Sequence, residues 1–193
     1  AQYRSNITLC RQAIDWSINK NPAYQISQAP FNSSASDYSP APIGPGQVVF
    51  TSDRNAGEDK STYLWTGRAF SDLFVSKAGG LDIAPFDPAI NSESNDGTVA
   101  FSPDGNTLVF TRCFAGSEYN AWCKLMISQK RGNEWTEPEV MPFVIEKSNY
   151  GQPAFAANGS TLFFTSDLPD GEGGHDLYFS QSDGAGGWTQ PVN

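Results

Sequence analysis

The sequence has few of the residues on which metal sites and many catalytic sites are built. It contains one histidine, three cysteines and two methionines in 193 residues. With His175 as the only histidine, a histidine-based zinc site cannot be assembled, and no nucleophile motif accompanies it that would predict a Ser-His-Asp triad. We therefore expect no catalysis by these routes.

Long apolar runs are also missing. No stretch approaches the roughly 18 to 20 consecutive apolar residues that a membrane span requires, and the opening "AQYRSNITLC" has no apolar signal core. We expect no direct membrane span, and we expect any export signal or lipid anchor to lie outside this segment.

Positive charge is scarce. Twelve Lys and Arg stand against 21 Asp and Glu, which gives a net charge of −9. Nucleic acids and anionic lipid surfaces are bound through cationic side chains, so this balance argues against both. A basic partner or a cation fits better. The 38% hydrophobic content is enough for a folded core.

The chain repeats itself. "AFSPDGNTLVFTR" (100–112) returns as "AFAANGSTLFFTS" (154–166), 54 residues later, and "KLMIS" and "WTEP" return as "DLYFS" and "WTQP". A similar unit with a shorter turn precedes these two. It consists of "YSPAPIGPGQVVFTSDR" followed by "DLFVS". Periods of this length are typical of repeat architectures, so the sequence predicts three units.

Each unit is predicted to consist of short β-strands. Asp104-Gly105 and Asn158-Gly159 separate apolar runs and permit the positive φ of tight hairpin turns. Three runs are continuously apolar, which predicts strands covered on both faces: 48–50, 108–110 and 162–164. Units of this size, each with an aromatic position, favour the four-stranded blades of a β-propeller.

The predicted fold is therefore all-β, with about three propeller blades at 38–80, 91–143 and 145–193. Apolar residues at helical spacing in "NITLCRQAIDWSINK" predict a short helix that ends before Asn21-Pro22. We divide the chain into a helical lead-in, 1–23, and a propeller portion, 24–193. Three units are too few to close a ring, so we take the chain to be a piece of a longer protein.

These repeats resemble a known family. "AFSPDGNTLVFTRC", "CKLMIS", "PAFAANGSTLFFTSDLPDGEGGHDLYFS" and "GGWTQPVN" are similar to the blades of PD40 (WD40-like, TolB-like) propellers in OmpA-family outer-membrane proteins, and most similar to the PorE-like lipoproteins of the type IX secretion system. The resemblance covers about residues 24–193 and is weakest in the first unit, where "DG" has become "GPG".

The resemblance implies a periplasmic, outer-membrane-associated protein that binds envelope proteins without catalysis, and that reaches the cell wall through a domain not in this chain. The alternative is a carbohydrate-binding or hydrolase propeller whose site lies in missing blades. Cys113 and Cys123 flank one hairpin, so they are either bridged or two buried thiols. The implied oxidising compartment favours a disulfide. Cys10 has no evident partner.

The loop "SDLPDGEGGHDLYF" holds the predicted interaction residues, which are Asp167, Asp170, Glu172, His175 and Asp176. Its carboxylates are ligands of the kind Ca²⁺ takes, but their spacing does not match an EF-hand loop, and exposed hairpins use the same residues. We expect no cofactor or metal, with Ca²⁺ here as the weaker alternative.

Several other residues are predicted to be structural. Asp53 and Asp167, each after "TS", should accept hydrogen bonds from turn amides, and Trp135 and Trp188 should pack blades together. A sialidase would need converging arginines. Only Arg54, Arg68 and Arg112 lie at comparable strand positions, and nothing in the sequence indicates that they converge.

Overall fold

The structure is a computed structural model, and it describes residues 2–54, 62–63, 66–114 and 122–193. Parts of the first and second predicted blades, at 55–61, 64–65 and 115–121, lie outside the described residues. The described chain is mostly β-sheet with one α-helix, so the predicted all-β class with a short N-terminal helix is confirmed.

The helix, α1, spans Gln2–Ile18. Asn21 follows it, and the Asn21 side chain accepts a hydrogen bond from the Ala23 amide in the turn after Pro22. The apolar residues of α1 are exposed, including Ile14 and Trp16. Within the described residues α1 packs against none of the strands.

Fourteen strands follow in the residues that the structure describes. They are β1 (Asp37–Gly44), β2 (Gln47–Ser52), β3 (Thr62–Tyr63), β4 (Arg68–Ala69), β5 (Asp72–Lys77), β6 (Asp82–Pro85), β7 (Asn95–Phe101), β8 (Thr107–Cys113), β9 (Cys123–Arg131), β10 (Glu134–Trp135), β11 (Glu139–Val140), β12 (Tyr150–Phe155), β13 (Thr161–Ser166) and β14 (Asp176–Gln181). A 3₁₀ turn at Ala78–Gly80 separates β5 from β6.

The strands form three antiparallel sheets in succession along the chain, and β3 pairs with β4 in a separate ribbon. The first sheet has the order β1-β2-β5-β6. The second has the order β7-β8-β9, with β10 and β11 both paired to β9. The third has the order β12-β13-β14, and Val192 adds an isolated bridge to Phe179. Each sheet is thus an up-and-down meander.

The predicted hairpin turns are confirmed. Gly105 and Gly159 both have φ of +70°, in the turns that join β7 to β8 and β12 to β13. An L-residue with a side chain rarely adopts this conformation, which explains glycine at both positions.

Among the described residues, two hydrophobic cores lie between neighbouring sheets. The first joins Val49 and Leu73 of the first sheet to Leu108 and Phe110 of the second. The second core joins the opposite face of the second sheet to the third sheet, through Val109, Leu125, Leu162, Phe164 and Tyr178. In the described part of the chain the first and third sheets each pack against the second, and not against each other.

The prediction that all three apolar runs are covered on both faces holds for the first two and is wrong for the third. Val49, Phe50, Val109 and Phe110 are buried, whereas Phe163 is 38% exposed. Phe163 lies on the face of β13 that points away from the second sheet, and no described strand covers that face.

Candidate functional site

The start of each sheet is held by a buried polar group, and the first sheet uses an ion pair. Arg54, just after β2, donates through Nη2 to Asp37 Oδ1 and to the Phe31 carbonyl, both at 2.7 Å. The amide and hydroxyl of Ser33 donate to the other carboxylate oxygen. Burial favours the protonated acid, but the bonds from Arg54, Ser52 and Ser33 outweigh it and lower the pKa of Asp37 to about 2.

The second sheet repeats this arrangement in a more buried place. Arg112 donates through Nε to Asp96 Oδ1 and through Nη2 to the Ile90 carbonyl, each at 2.6 Å. The amide and hydroxyl of Ser92 donate to Asp96 Oδ2. The Asp96 side chain is fully buried, and burial raises its pKa although the bonds from Arg112 and Ser92 oppose that rise.

The third sheet replaces the ion pair with a tyrosine. Tyr150 stands where Asp96 stands in the second sheet, and Ser166 stands in place of Arg112. The Tyr150 hydroxyl accepts a hydrogen bond from the Ile145 amide at 3.1 Å, as Asp96 accepts one from Ser92. Burial raises the pKa of Tyr150, so this hydroxyl stays protonated at neutral pH.

A second repeated contact confirms the prediction for Asp53 and Asp167. Asp53 accepts a hydrogen bond from the Ser36 amide at 2.7 Å, and Asp167 accepts one from the Asn149 amide at 2.5 Å. Each carboxylate therefore ties the end of a second strand to the residue before a first strand. The second sheet has Cys113 at this position.

Cys113 forms a disulfide with Cys123, as predicted. It joins the last residue of β8 to the first residue of β9, whose backbones are directly paired. Cys10 is exposed on α1 with a free thiol. A disulfide is typical of proteins in an oxidising, extracytoplasmic compartment.

A cavity of about 410 Å³ lies where the first strands of the three sheets meet. In its lining, the Thr98 and Thr111 hydroxyls of the second sheet bond to each other at 2.6 Å, and the Thr165 hydroxyl bonds to Gln152. None of the described residues that line it is Asp, Glu, Lys or Arg. His175 also lines the cavity, but the hydroxyls of Thr98, Thr111 and Thr165 bond to one another or to Gln152, and not to a histidine or carboxylate that could act as a base.

The same cavity borders a backbone irregularity that all three first strands share. Ser39, Thr98 and Gln152 have φ of +49°, +47° and +49°, and each lies inside a register shift of β1, β7 or β12. Such bulges turn a strand locally and leave groups unpaired beside it. Positive φ is costly for residues with side chains, so the surrounding contacts must hold the backbone there.

Neighbouring sheets meet through a glycine–threonine contact. A Cβ added to Gly97 in β7 would lie 2.9 Å from Thr51 Cγ2 in β2, and one added to Gly151 in β12 would lie 3.6 Å from Thr111 Oγ1 in β8. The glycine of one sheet thus packs on the threonine of the sheet before it. A Cβ at Gly97 would be too close to the threonine methyl, whereas one at Gly151 would make an ordinary van der Waals contact.

An asparagine–amide contact accompanies it. Asn95 accepts a hydrogen bond from the Ser71 amide of the first sheet, and Asn149 accepts one from the Cys123 amide of the second, both at 3.0 Å. Ser71 and Cys123 occupy equivalent positions at the start of β5 and β9. The residue equivalent to both in the third sheet is His175.

The predicted interaction residues at 167–176 have different roles. Asp167 holds Asn149, and Asp176 accepts a hydrogen bond from the Gly173 amide inside the loop. Asp170 accepts a weak bond from the Tyr178 hydroxyl at 3.4 Å. Asp170, Glu172 and His175 are exposed at the surface. The surface part of the predicted site is therefore the loop tip.

The weaker alternative of a calcium site gains no support from this geometry. Nowhere in the described residues do three His, Cys, Asp or Glu side chains come close enough to hold a metal ion. The loop carboxylates instead bond to backbone amides and to Tyr178.

The three arginines that a sialidase site would require do not converge in the structure. Arg54 and Arg112 belong to the ion pairs of two different sheets, and Arg68 lies 3.4 Å from Asp53. Each has a local carboxylate partner, so they do not form one anion site. The ion pairs were missed from sequence, although "FNSSASD" and "INSESND", each with serine four residues before aspartate, carried the signal.

The prediction that the tryptophans pack neighbouring sheets together is confirmed for Trp135, whereas Trp188 borders the second core and makes its ring contact within its own sheet. Trp135 packs against Phe86, which follows the first sheet, and Phe101 of the second, with ring centroids 6.0 and 5.9 Å apart. Trp188 contacts Phe155 within the third sheet at 6.4 Å. The threonine after each tryptophan accepts through its carbonyl from Ser128 or Ser180.

No protein-family model matches the chain, and no curated protein is significantly similar to it. The α-helix in the described part of the chain is too short and too polar to cross a lipid bilayer.

Proposed function

We propose that this chain is a portion of a β-propeller that acts as a non-enzymatic protein-interaction module. We further propose, from the resemblance to PD40 propellers, that it belongs to a periplasmic protein associated with the outer membrane and peptidoglycan, within the type IX secretion machinery. Its partners on this proposal are envelope proteins.

The proposal rests mainly on the structural contacts that the charged side chains make. The ion pairs Asp37–Arg54 and Asp96–Arg112 each hold the strands of one sheet, and Asp53 and Asp167 do the same through backbone amides. Groups engaged in this way are not available as acids, bases or nucleophiles. What is left for function is surface, and that surface is acidic overall.

The sheet arrangement supports the propeller. Three meanders of similar sequence follow one another, each packs on the next through the same contacts, and the first strand of each borders a common cavity. Repeat proteins of this kind supply a rigid frame on which loops bind partners. The disulfide supports a location outside the cytoplasm.

The test is capture of partners from envelope extract by the folded, immobilised chain at low and high salt. We expect a specific set of envelope proteins to be retained, with slower association at high salt because screening weakens the attraction of a basic partner. Replacing Asp170→Asn and Glu172→Gln at the exposed loop tip should reduce retention.

The matched control is Glu134→Gln with Glu139→Gln, which removes the same charge from exposed positions on the second sheet. Equal loss in both variants would show general electrostatics and contradict a role for the loop. Turnover of a glycan or peptide by the purified chain would favour the alternative, a carbohydrate-binding or hydrolase propeller.

A further inference from the structure

The third sheet has an open apolar face on the side away from the second sheet. Phe163 is 38% exposed, Leu177 63% and Val192 50%. Phe163 pairs with Phe179 across the strands, and Thr165 pairs with Leu177 beside them. We call these five residues the outer face of the third sheet.

The same positions in the other two sheets are covered by the sheet that follows. Val49 and Val109 correspond to Phe163, and all of their surface is buried. Leu73 and Leu125 correspond to Leu177 and are equally buried. In each case the cover is the next sheet in the chain, through one of the two hydrophobic cores.

The polar residues of this contact between sheets also have equivalents on the third sheet. Thr165 corresponds to Thr51 and Thr111, the threonines on which Gly97 and Gly151 pack. His175 corresponds to Ser71 and Cys123, whose amides donate to Asn95 and Asn149. The outer face thus has the groups that receive a following sheet at two other places in this protein.

We propose that the outer face of the third sheet is a docking surface for a β-sheet whose first strand carries the sequence Asn-X-Gly. The glycine packs on Thr165, the asparagine accepts from the His175 amide, and the apolar side of the incoming sheet covers Leu177 and Phe163. This inference rests on the repeated packing and does not depend on whether the chain binds an envelope protein.

A second copy of this chain does not meet these requirements. Tyr38 in its first strand is at the position of the glycines in β7 and β12. Ser36, just before that strand, is at the position of Asn95 and Asn149. A Cβ would lie 2.9 Å from the threonine methyl at Gly97 and 3.6 Å from the threonine hydroxyl at Gly151, so we expect the much larger side chain of Tyr38 to obstruct the same contact with Thr165. Tyr38 therefore keeps copies of the chain from stacking end to end, a contact that would otherwise repeat without closing.

The test builds the missing motif into the first strand. Ser36→Asn with Tyr38→Gly gives a chain that is both donor and acceptor, and we expect it to self-associate at least tenfold more tightly than the unaltered chain in sedimentation-velocity runs over a concentration series. Adding Leu177→Lys, which charges the outer face, should return it to a monomer.

A mixing experiment separates the two roles. The triple variant keeps the donor strand and loses the acceptor face, whereas the unaltered chain keeps the acceptor face and lacks the donor strand. We expect a one-to-one complex when they are mixed, and none when Leu177→Lys is placed on the unaltered chain instead. Circular dichroism melts check that each variant is folded, and Tyr38→Gly alone carries the test if the double variant is not.

The inference is overturned if the folded donor variants stay monomeric and form no complex at about 100 μM, or if Leu177→Lys leaves their association unchanged. Self-association of the unaltered chain through this face would overturn the role given to Tyr38.

Discussion

The second and third sheets solve one structural problem with different chemistry. Both must fix the start of the first strand, and both do so with a buried group that accepts a hydrogen bond from the loop before it. The second sheet uses Asp96 and its partner Arg112, whereas the third uses the neutral Tyr150. The difference shows that the repeat preserves the hydrogen bond and its geometry, and not the charge.

The ion pair and the tyrosine differ in how much stability a single substitution should remove. A buried ion pair loses the hydration of both ions, and it is stable only while both partners are present. A buried tyrosine has one polar atom to satisfy and a large ring that packs, here against Phe143 and Phe164. The second sheet should therefore be the more sensitive to a single substitution.

The largest effect should come from removing one ion of the buried pair. Arg112→Met leaves Asp96 buried without its partner, and we expect it to lower the free energy of unfolding by about 3–5 kcal/mol. Arg54→Met, at the less buried pair, should cost about 1–3 kcal/mol. Urea unfolding measures both, and equal losses would contradict the expectation that the more buried ion pair is the more sensitive to loss of one partner.

A variant that carries the third sheet's residues in the second sheet provides the control. Asp96→Tyr with Arg112→Ser places in the second sheet the residues found at 150 and 166. We expect this double variant to be more stable than Arg112→Met, because it removes the uncompensated charge.

The next effect concerns Cys113, which replaces the aspartate found after the second strand of the other two sheets. Cys113→Ser with Cys123→Ser should lower the free energy of unfolding by about 2–3 kcal/mol, since the bridge closes a short loop between residues ten apart. Cys113→Asp with Cys123→Ser should lose less, because the carboxylate can accept from the Asn95 amide as Asp167 accepts from Asn149. Equal losses in the free energy of unfolding of the two variants would show that an aspartate at position 113 does not take the place of the disulfide.

A smaller effect should follow from Tyr150→Phe. This change keeps the ring and removes the hydroxyl that accepts from the Ile145 amide at 3.1 Å. We expect a loss of about 1 kcal/mol in urea unfolding. Tyr178→Phe is the matched control, because its hydroxyl bond to Asp170 is longer, at 3.4 Å; it should lose less.

The last effect is confined to acid. The pKa of Asp37 is about 2 in the folded chain and near 3.8 when unfolded, so between these values the unfolded chain binds more protons. Stability should therefore fall as pH drops from about 4 to 2, and Asp37→Asn should remove that slope. Asp96→Asn should change the slope in the opposite direction, because burial raises the pKa of Asp96. Thermal melts across this range measure both slopes.

Much of the fold could be predicted from sequence because the hairpin signals are local. Asp104-Gly105 and Asn158-Gly159 mark turns by themselves, and the repeat of the strands around them is visible at a constant spacing. The ion pairs were not predicted, because Asp37 and Arg54 lie 17 residues apart and the third unit has neither residue at the equivalent positions. The exposed Phe163 was also missed, since an apolar run does not reveal which of its faces has a neighbour.

The succession of sheets also determines how the molecule should come apart. In the described residues the second sheet packs on both of its faces, while the first and third sheets each pack on the second alone among the sheets. In such linear arrays a unit with two neighbours opens less readily than a unit with one. Local opening should start in the outer sheets and reach the disulfide-bonded second sheet last, so its strands are the part of the chain best protected from proteases.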